Sequence, residues 1–442
     1  MDSKQKNNSV RKENNNNHAF SNHNPKLALA LSIIPGLGQF YNRRFMKGTI
    51  FLVLAAAFII VFADFIDIGL WGIFTLGTVP GRDHSLQLII QGLVAFVLLA
   101  FALVFYFVNL RDAYKDAEKL RQGYSVPTLA ESFHNTYDKT FPYFLVGPGL
   151  ILVIFAVILP LGFMLSLAFV NYHLRNSPPA NLLDWVGFDN FVSLATTPMW
   201  QNTFISVFSW TIIWTLVATT LQIVLGLFLA ILVNDKRIKP KRTIRTILIL
   251  PWAVPGFVSI LIFAAMFNDG FGAINRQIME PLFNVSIPWL TDVLWTRVAL
   301  ITIQVWLGFP FVFALFSGVL TSISDDWYEA ATVDGANRWQ KFKAITFPHV
   351  MFATAPLMIM QYTHNFNNFN IIYLFNEGGP AVRGQNAGGT DILISWVYSL
   401  TFSQQNYSIA AAISMIIGLI VAVFAFFQFR KTRSFKEEGK VY

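Results

Sequence analysis

Residues 329–348 read Glu-Ala-Ala-Thr-Val-Asp-Gly-Ala-Asn-Arg-Trp-Gln-Lys-Phe-Lys-Ala-Ile-Thr-Phe-Pro, a polar stretch set between two apolar ones. Its punctuation predicts two short helices with a hinge. Asp326 is placed to cap the first, with Glu329 three residues on as reciprocal partner in a capping box. Gly335 ends that helix at little cost, because glycine accepts positive φ. Asn337 and Gln340 repeat the cap pattern for a second helix, and Pro348 opens the next apolar span. Ala330 and Ala331 leave almost no side chain, so another protein's surface can approach closely. Taken alone, the stretch is a helix–turn–helix connector between membrane spans.

The composition puts those spans in a membrane. Of 442 residues, 55% are hydrophobic and 13% are charged, and the mean hydropathy is +0.51. Soluble domains carry about a quarter charged residues. The length suits one multi-span bundle rather than several soluble domains. Forty-four Phe and no Cys fit a lipid-exposed protein without disulfides.

Residues 1–26 are polar and Asn-rich, with too little apolar content to fold, and read as a disordered cytoplasmic tail. Leu27–Tyr41 is apolar but too short to span and is broken by Pro35, Gly36 and Gly38; it reads as an interfacial or re-entrant helix. A cleaved signal peptide fits worse, because the apolar stretch follows a long polar tail and no small-residue cleavage site follows closely. Eight stretches are long enough to cross, near 47–65, 87–109, 143–170, 203–233, 244–267, 298–320, 351–375 and 409–429. The resulting organisation is a tail with a short interfacial helix (1–46), a two-span hairpin with a polar linker (47–142), a six-span core (143–430) containing the connector 321–349, and a C-terminal tail (431–442).

Lys and Arg orient the bundle. Segments 1–47, 110–142, 234–245, 321–349 and 430–442 hold 27 of the 32, and the alternate loops hold five. Positive residues resist translocation, so both termini and the 329–348 stretch are expected in the cytoplasm. The asymmetry also explains the net charge of +8 without nucleic acid. The linker 110–142 mixes Arg111, Lys115, Lys119 and Arg121 with Asp112, Asp116 and Glu118, as on a solvated helix.

Catalytic signals are absent. The only Gly-Lys pair is Gly439–Lys440, so no P-loop is present to hydrolyse ATP, and energy comes from a separate subunit or an ion gradient. No Asp, Glu, Lys or Arg lies near a span midpoint; Asp64 falls at the end of its span, and His364 is the one titratable group well inside one. An ion-coupled carrier usually keeps such a group in the bilayer, so this argues for a passive path. His173, His349 and His364 are isolated, with no nucleophile, carboxylate pair or metal-ligand partners beside them, so no enzyme and no metal site is expected.

Span seven carries a polar island, Gln361-Tyr-Thr-His-Asn-Phe-Asn-Asn-Phe-Asn370. Asn residues inside a membrane helix face water, a ligand or other helices. At 100° per residue they spread around the helix, so interhelical bonding and ligand binding both remain open. Amides donate and accept, as sugar hydroxyls do, and Tyr362, Phe366, Phe369 and Tyr373 interleave with them; rings suit sugar C–H faces, although in a chain with 16% aromatic residues lipid or core packing accounts better for any single one. Pro251, Pro255 and Gly256 at the start of span five, and Pro310 in span six, predict kinks that serve either a gate or packing.

Two sets of residues carry a family resemblance. Glu329, Ala330, Ala331, Gly335, Ile345 and Pro348 stand at the spacings of the loop by which permease subunits of ABC importers dock on their ATPases, with Phe347 replacing the usual Leu. From about residue 244 to 430 the chain is similar to the maltose/maltodextrin importer permeases of the MalF type, through Leu250-Pro-Trp-Ala-Val-Pro255, Phe267-Asn268, Phe271-Gly272 with Ile274-Asn275, Trp306-Leu-Gly-Phe-Pro310, Asn365-Phe-Asn-Asn-Phe369, Gly378-Gly-Pro380 and Thr390-Asp391. The resemblance implies an all-α polytopic bundle of about eight spans, two N-terminal and six forming a type I importer core. It implies sugar contacts at Leu307, Gly308, Asn367 and Asn368, with Phe311 nearby.

The resemblance further implies a second, MalG-type permease, two ATPase subunits that use ATP and Mg, and an extracellular sugar-binding lipoprotein. No cofactor is implied in this chain. Phe311 stands where the MalF type has Tyr, and Gln304 where it has Asn, which leaves sugar length open. The short loop 171–202 replaces a large folded insertion, as suits a Gram-positive cytoplasmic membrane. The expected function is translocation of maltose and maltodextrins; another oligosaccharide is the alternative, and an ion-coupled sugar carrier or a polyol phosphate permease is disfavoured by the absence of charge in the spans.

Overall fold

The computed structural model describes residues 23–124, 141–143, 145–235 and 237–431. The C-terminal tail, most of the N-terminal tail and the later part of the linker expected at 110–142 lie outside the described residues. Among the described residues the chain is helical, and its one β-feature is an isolated bridge between Ala381 and Gly388. Among the described residues seven helices are long and apolar enough to cross a membrane, and a bent pair brings the number to eight if it is one span.

Contacts divide the chain into two compact units, Met1–Ser166 with Arg175–Trp185, and Leu167–Leu174 with Val186–Tyr442. The first is built on a hairpin of α3 (Phe45–Thr75) and α4 (Ser85–Arg121), with α5 (Phe141–Leu167) running to its end. Helix α3 runs ten residues past the expected span, so Asp64 lies inside it rather than at its end, exposed together with Asp67. At 1.5 Å per residue, α4 is about 55 Å long, well beyond the roughly 30 Å bilayer core.

The last turns of α4 are covered on one face, which corrects the expectation of a solvated helix. Leu27–Tyr41 forms two short helices, α1 (Pro25–Leu31) and α2 (Leu37–Tyr41), and Asn24 caps the first by accepting from the amides of Lys26 and Leu27. Asn109 of α4 pins the turn between them: its Nδ2 donates to the Ser32 carbonyl at 2.9 Å, and its Oδ1 accepts from the Gly36 amide at 3.2 Å. Gln39 and Asn42 of the α2 region donate to the carbonyls of Asn109 and Ala113. Lys47 pairs with Asp112 and lies 3.5 Å from Asp116.

The second unit is organised around α6 (Pro198–Asn234) and α9 (Val293–Ser322), packed along their length. Two apolar clusters fill it. One gathers Trp210, Trp214, Phe267, Trp289, Ile303 and Phe375; the other gathers Phe309, Phe313, Phe316, Leu320 and Val350. In lipid such clusters hold by close packing rather than by escape from water. A polar layer lies between them in sequence on each helix, at Thr219 and Gln222 of α6 and Gln304 of α9.

Two breaks open this unit. The span expected at 244–267 is not continuous: α7 (Lys241–Ile249) and the 3₁₀ turn Leu250–Ala253 meet α8 (Gly256–Met266) at 86°. Pro255 is the cause, since it lacks an amide hydrogen and forces its predecessor out of the helical region; Val254 is extended at φ −103°, ψ 131°. The polar island is the second break. The helix stops at Phe366 and resumes at Phe369, with Asn367 at φ −109°, ψ 22° and Asn368 at φ −80°, ψ 75°. The uniform 100° advance expected through the island therefore does not hold.

Candidate functional site

The two breaks and α9 line an open cavity of about 510 Å³. Pro251, Trp252, Val254, Pro255, Gly256, Phe257 and Ile260 line it from the bent pair, and Gln304, Leu307, Gly308 and Phe311 from α9. The helix before the second break, α12 (Phe347–Phe366), gives Gln361 and His364; the break and α13 (Phe369–Asn376) give Asn368, Asn370 and Ile371. Among the described residues no Asp, Glu, Lys or Arg lines the cavity. Its wall alternates amides with aromatic surface, and the rings of Trp252 and Phe311 lie 5.9 Å apart.

Leu307, Gly308 and Asn368, to which the resemblance assigns sugar contacts, and Phe311, which it places nearby, all line this cavity. Asn367 is exposed and does not line this cavity, because the broken turn carries it elsewhere. Gln361, His364, Asn370 and Trp252 were not singled out as cavity residues; all four sit in motifs already noticed, but only the break places them.

Asn365 settles part of the choice between bonding and binding. It is fully buried. Its Nδ2 donates to Thr219 Oγ1 at 2.7 Å and to Gln222 Oε1 at 3.2 Å, its Oδ1 accepts from Gln304 Nε2 at 2.7 Å, and its carbonyl accepts from Trp214 Nε1 at 2.9 Å. It ties α12 to α6 and α9, as an amide in a bundle does. Gln222, which no motif marks, is also fully buried and donates to the Gln304 carbonyl at 2.9 Å. Gly308 has no side chain because Gln222 occupies its place: a Cβ there would lie 2.4 Å from Gln222 Cδ.

The segment Gly378-Gly-Pro380 with Thr390-Asp391 forms a closed clamp apart from the cavity. Thr390 Oγ1 donates to the Gly379 carbonyl and its amide to that of Gly378, while Trp210 Nε1 donates to the Thr390 carbonyl. Arg297 donates to the Gly389 carbonyl and lies over the Trp210 ring at 4.3 Å. Asp391 accepts from the Gly388 amide and from Ser395 Oγ. Burial pushes its carboxyl up to about 6, against the opposing pull of those two bonds. Gly378, at φ +81°, leaves room for that carboxylate: a Cβ would meet Asp391 Oδ1 at 2.1 Å.

The 329–348 stretch also has a defined geometry. Helix α10 (Asp325–Val333) is capped by Ser324, whose Oγ accepts from the Asp326 amide, and not by Asp326. Asp325 and Asp326 lie in the first turn, where carboxylates complement the helix dipole. Gly335, at φ +78°, ends the helix: its amide donates to the Thr332 carbonyl and that of Ala336 to Ala331, the two bonds of a Schellman motif.

The capping box of Asn337 and Gln340 forms at 2.8 and 2.9 Å. Its short helix, α11 (Arg338–Lys341), does not end; it passes through a π-turn, Phe342–Thr346, into α12. Tyr328 bonds Thr346 at 2.8 Å, and Tyr328 and Ile345 pack on the second apolar cluster. Glu329, Ala330, Gly335 and Pro348 are exposed, Ala331 and Ile345 half-buried, and Trp327, Val333 and Trp339 present apolar surface beside them. The motif thus divides into anchors that fix the elbow and a free face.

Residues 222–434 match the family model described as binding-protein-dependent transport system inner membrane component. The galactooligosaccharides transport system permease protein GanP of Bacillus subtilis is 53% identical over 94% of this chain and 99% of its own. The maltodextrin transport system permease protein MalC of Streptococcus pneumoniae is 47% identical over 94% of this chain and 97% of its own. In fold, the chain is similar to a chain of a bacterial ABC transporter involved in the import of the acidic polysaccharide alginate, with a TM-score of 0.56 at 22% identity, covering 69% of this chain and 99% of the other.

Proposed function

The chain belongs to the family of binding-protein-dependent ABC sugar permeases of the maltose type, and from that premise we propose that it forms half of the membrane path by which neutral oligosaccharides, maltodextrins first among them, enter a Gram-positive cell. The observation that carries this reading is the cavity. Its four amides and one imidazole can donate to and accept from hydroxyls, its aromatic rings suit sugar C–H faces, and among the described residues no Lys or Arg lines it to hold a phosphate. Leu307, Gly308, Phe311 and Asn368 form its sugar-contacting wall, with Asn367 beyond it.

A second permease completes the path, and a sugar-binding lipoprotein outside delivers the substrate. Two ATPase subunits, which use ATP and Mg, bind the cytoplasmic loops of the two permeases, one of them docking on the free face of this chain's 329–348 elbow, with both termini of this chain on their side. This chain needs no cofactor of its own. Support for the elbow as docking surface comes from its division of labour: Tyr328 and Ile345 anchor it while Glu329 and Ala330 stand exposed beside apolar Val333 and Trp339.

Galactooligosaccharides are the second reading, favoured by the 53% identity to a permease named for them. Uptake in cells lacking this gene separates the two. Maltose to maltoheptaose would be followed beside galactooligosaccharides of matching length. Loss of maltodextrin uptake supports the first reading, loss confined to galactooligosaccharides the second, and unchanged uptake of both removes the sugar assignment.

A further inference from the structure

We propose that Gln222, buried behind the cavity and touching no substrate, is a positioning residue that fixes which amide atoms the cavity wall offers to a sugar. The argument rests on the transport reading above and begins with one backbone carbonyl. A carbonyl only accepts, so the Gln222 contact with the Gln304 carbonyl at 2.9 Å must be made by Nε2. That turns Gln222 Oε1 the other way, towards Gln361 and Asn365, both of which must then donate to it, at 2.9 and 3.2 Å. With its Nδ2 committed to Gln222 and Thr219, Asn365 presents Oδ1 to Gln304, which donates at 2.7 Å. One fixed acceptor thereby sets the orientation of four amides on three helices.

Gln304 and Gln361 both line the cavity. Each spends one amide N–H within the network, which fixes the orientation of the amide and leaves its Oε1 and its second N–H. At these two points the wall therefore offers an acceptor beside a donor in a set order. A hydroxyl, which both donates and accepts, can use both. Gly308 makes the arrangement possible by leaving Gln222 its space, and Gln222 and Asn365 are themselves fully buried, so water does not compete for the bonds between them.

The test is initial-rate uptake of maltotetraose by proteoliposomes holding the complete transporter, with Gln222→Leu, Gln222→Glu and Gln361→Leu. Gln222→Leu frees Gln304 and Gln361 to rotate. The expected result is a KM raised about tenfold, on the order of 1.4 kcal/mol, with Vmax per assembled complex and basal ATP hydrolysis within about twofold of the wild type. A buried Glu is held protonated by desolvation, and its hydroxyl and carbonyl reproduce the Gln222 pattern, so Gln222→Glu should restore a KM within about twofold.

Gln361→Leu removes one acceptor without touching the Gln222–Gln304 bond and should raise KM alone, which keeps the test open if Gln222→Leu fails to assemble. An unchanged KM in Gln222→Leu, or equal loss in the Leu and Glu variants, overturns the proposal. A wild-type complex that takes up no neutral oligosaccharide overturns the transport reading, and this one with it.

Discussion

Gly308→Ala isolates the packing on which the cavity wall depends. The new methyl carbon would lie 2.4, 2.5 and 2.6 Å from Cδ, Nε2 and Oε1 of Gln222. Carbon contacts are comfortable at about 3.5–4.0 Å, so the Gln222 amide must move by about 1 Å, which breaks its three hydrogen bonds. Such bonds are worth about 1 kcal/mol each in proteins generally and about 0.6 in membrane bundles, so the loss is about 2–3 kcal/mol. Exchange of Gly for Ala inside a helix returns up to about 1 kcal/mol.

The net expected destabilisation is about 1–2 kcal/mol. In a Gln222→Ala background the methyl meets no amide, and Gly308→Ala should become neutral or mildly stabilising. Equilibrium unfolding of the four purified proteins in detergent closes a double-mutant cycle with an expected coupling of about 2 kcal/mol. Additivity within about 0.5 kcal/mol would refute the claim that Gly308 exists to seat Gln222.

Three further outcomes follow from particular residues. The Asp391 carboxyl, raised by burial to about 6, gives stability that is full below about pH 4 and lost as pH rises through 6, by about 3 kcal/mol at 1.36 kcal/mol per pH unit; thermal unfolding between pH 4.5 and 7.5 should show this slope, and Asp391→Asn should flatten it. Asn365→Ala should cost about 2–3 kcal/mol by stranding Gln304 Nε2 and Thr219, whereas Asn367→Ala, exposed and without a side-chain hydrogen bond, should stay within about 0.5 kcal/mol in the same unfolding assay. Glu329→Lys, on an exposed face, should leave the unfolding midpoint unchanged while abolishing ATP-driven uptake in proteoliposomes; uptake at the wild-type rate would remove the docking role of that face.

What could be read from sequence was local or cumulative. The apolar spans are legible because each must by itself bridge the bilayer, and the Schellman turn at Gly335 and the Asn337–Gln340 box are legible because their bonds close within six residues. Even there, the choice of Ser324 over Asp326 as the cap needed the chain path, since both residues can accept from a helix amide. The resemblance picked out Leu307, Gly308, Phe311 and Asn368, which all line one cavity, but for Gly308 it hid the packing, which is a contact with a residue 86 positions earlier.

The sequence by itself determined that this is a helical membrane protein, showed no P-loop in its 442 residues, and located the elbow at 329–348; composition, spacing and short-range hydrogen bonding suffice for these. Only the tertiary structure decided which polar residues bond the bundle and which face the cavity. Asn365, Asn367 and Asn368 are nearly adjacent and chemically identical, yet one is buried glue, one is exposed and one lines the cavity. The physical reason is that the helix breaks at Asn367, and that the partners that claim the amide of Asn365 come from two other helices, brought there by packing that no local pattern encodes.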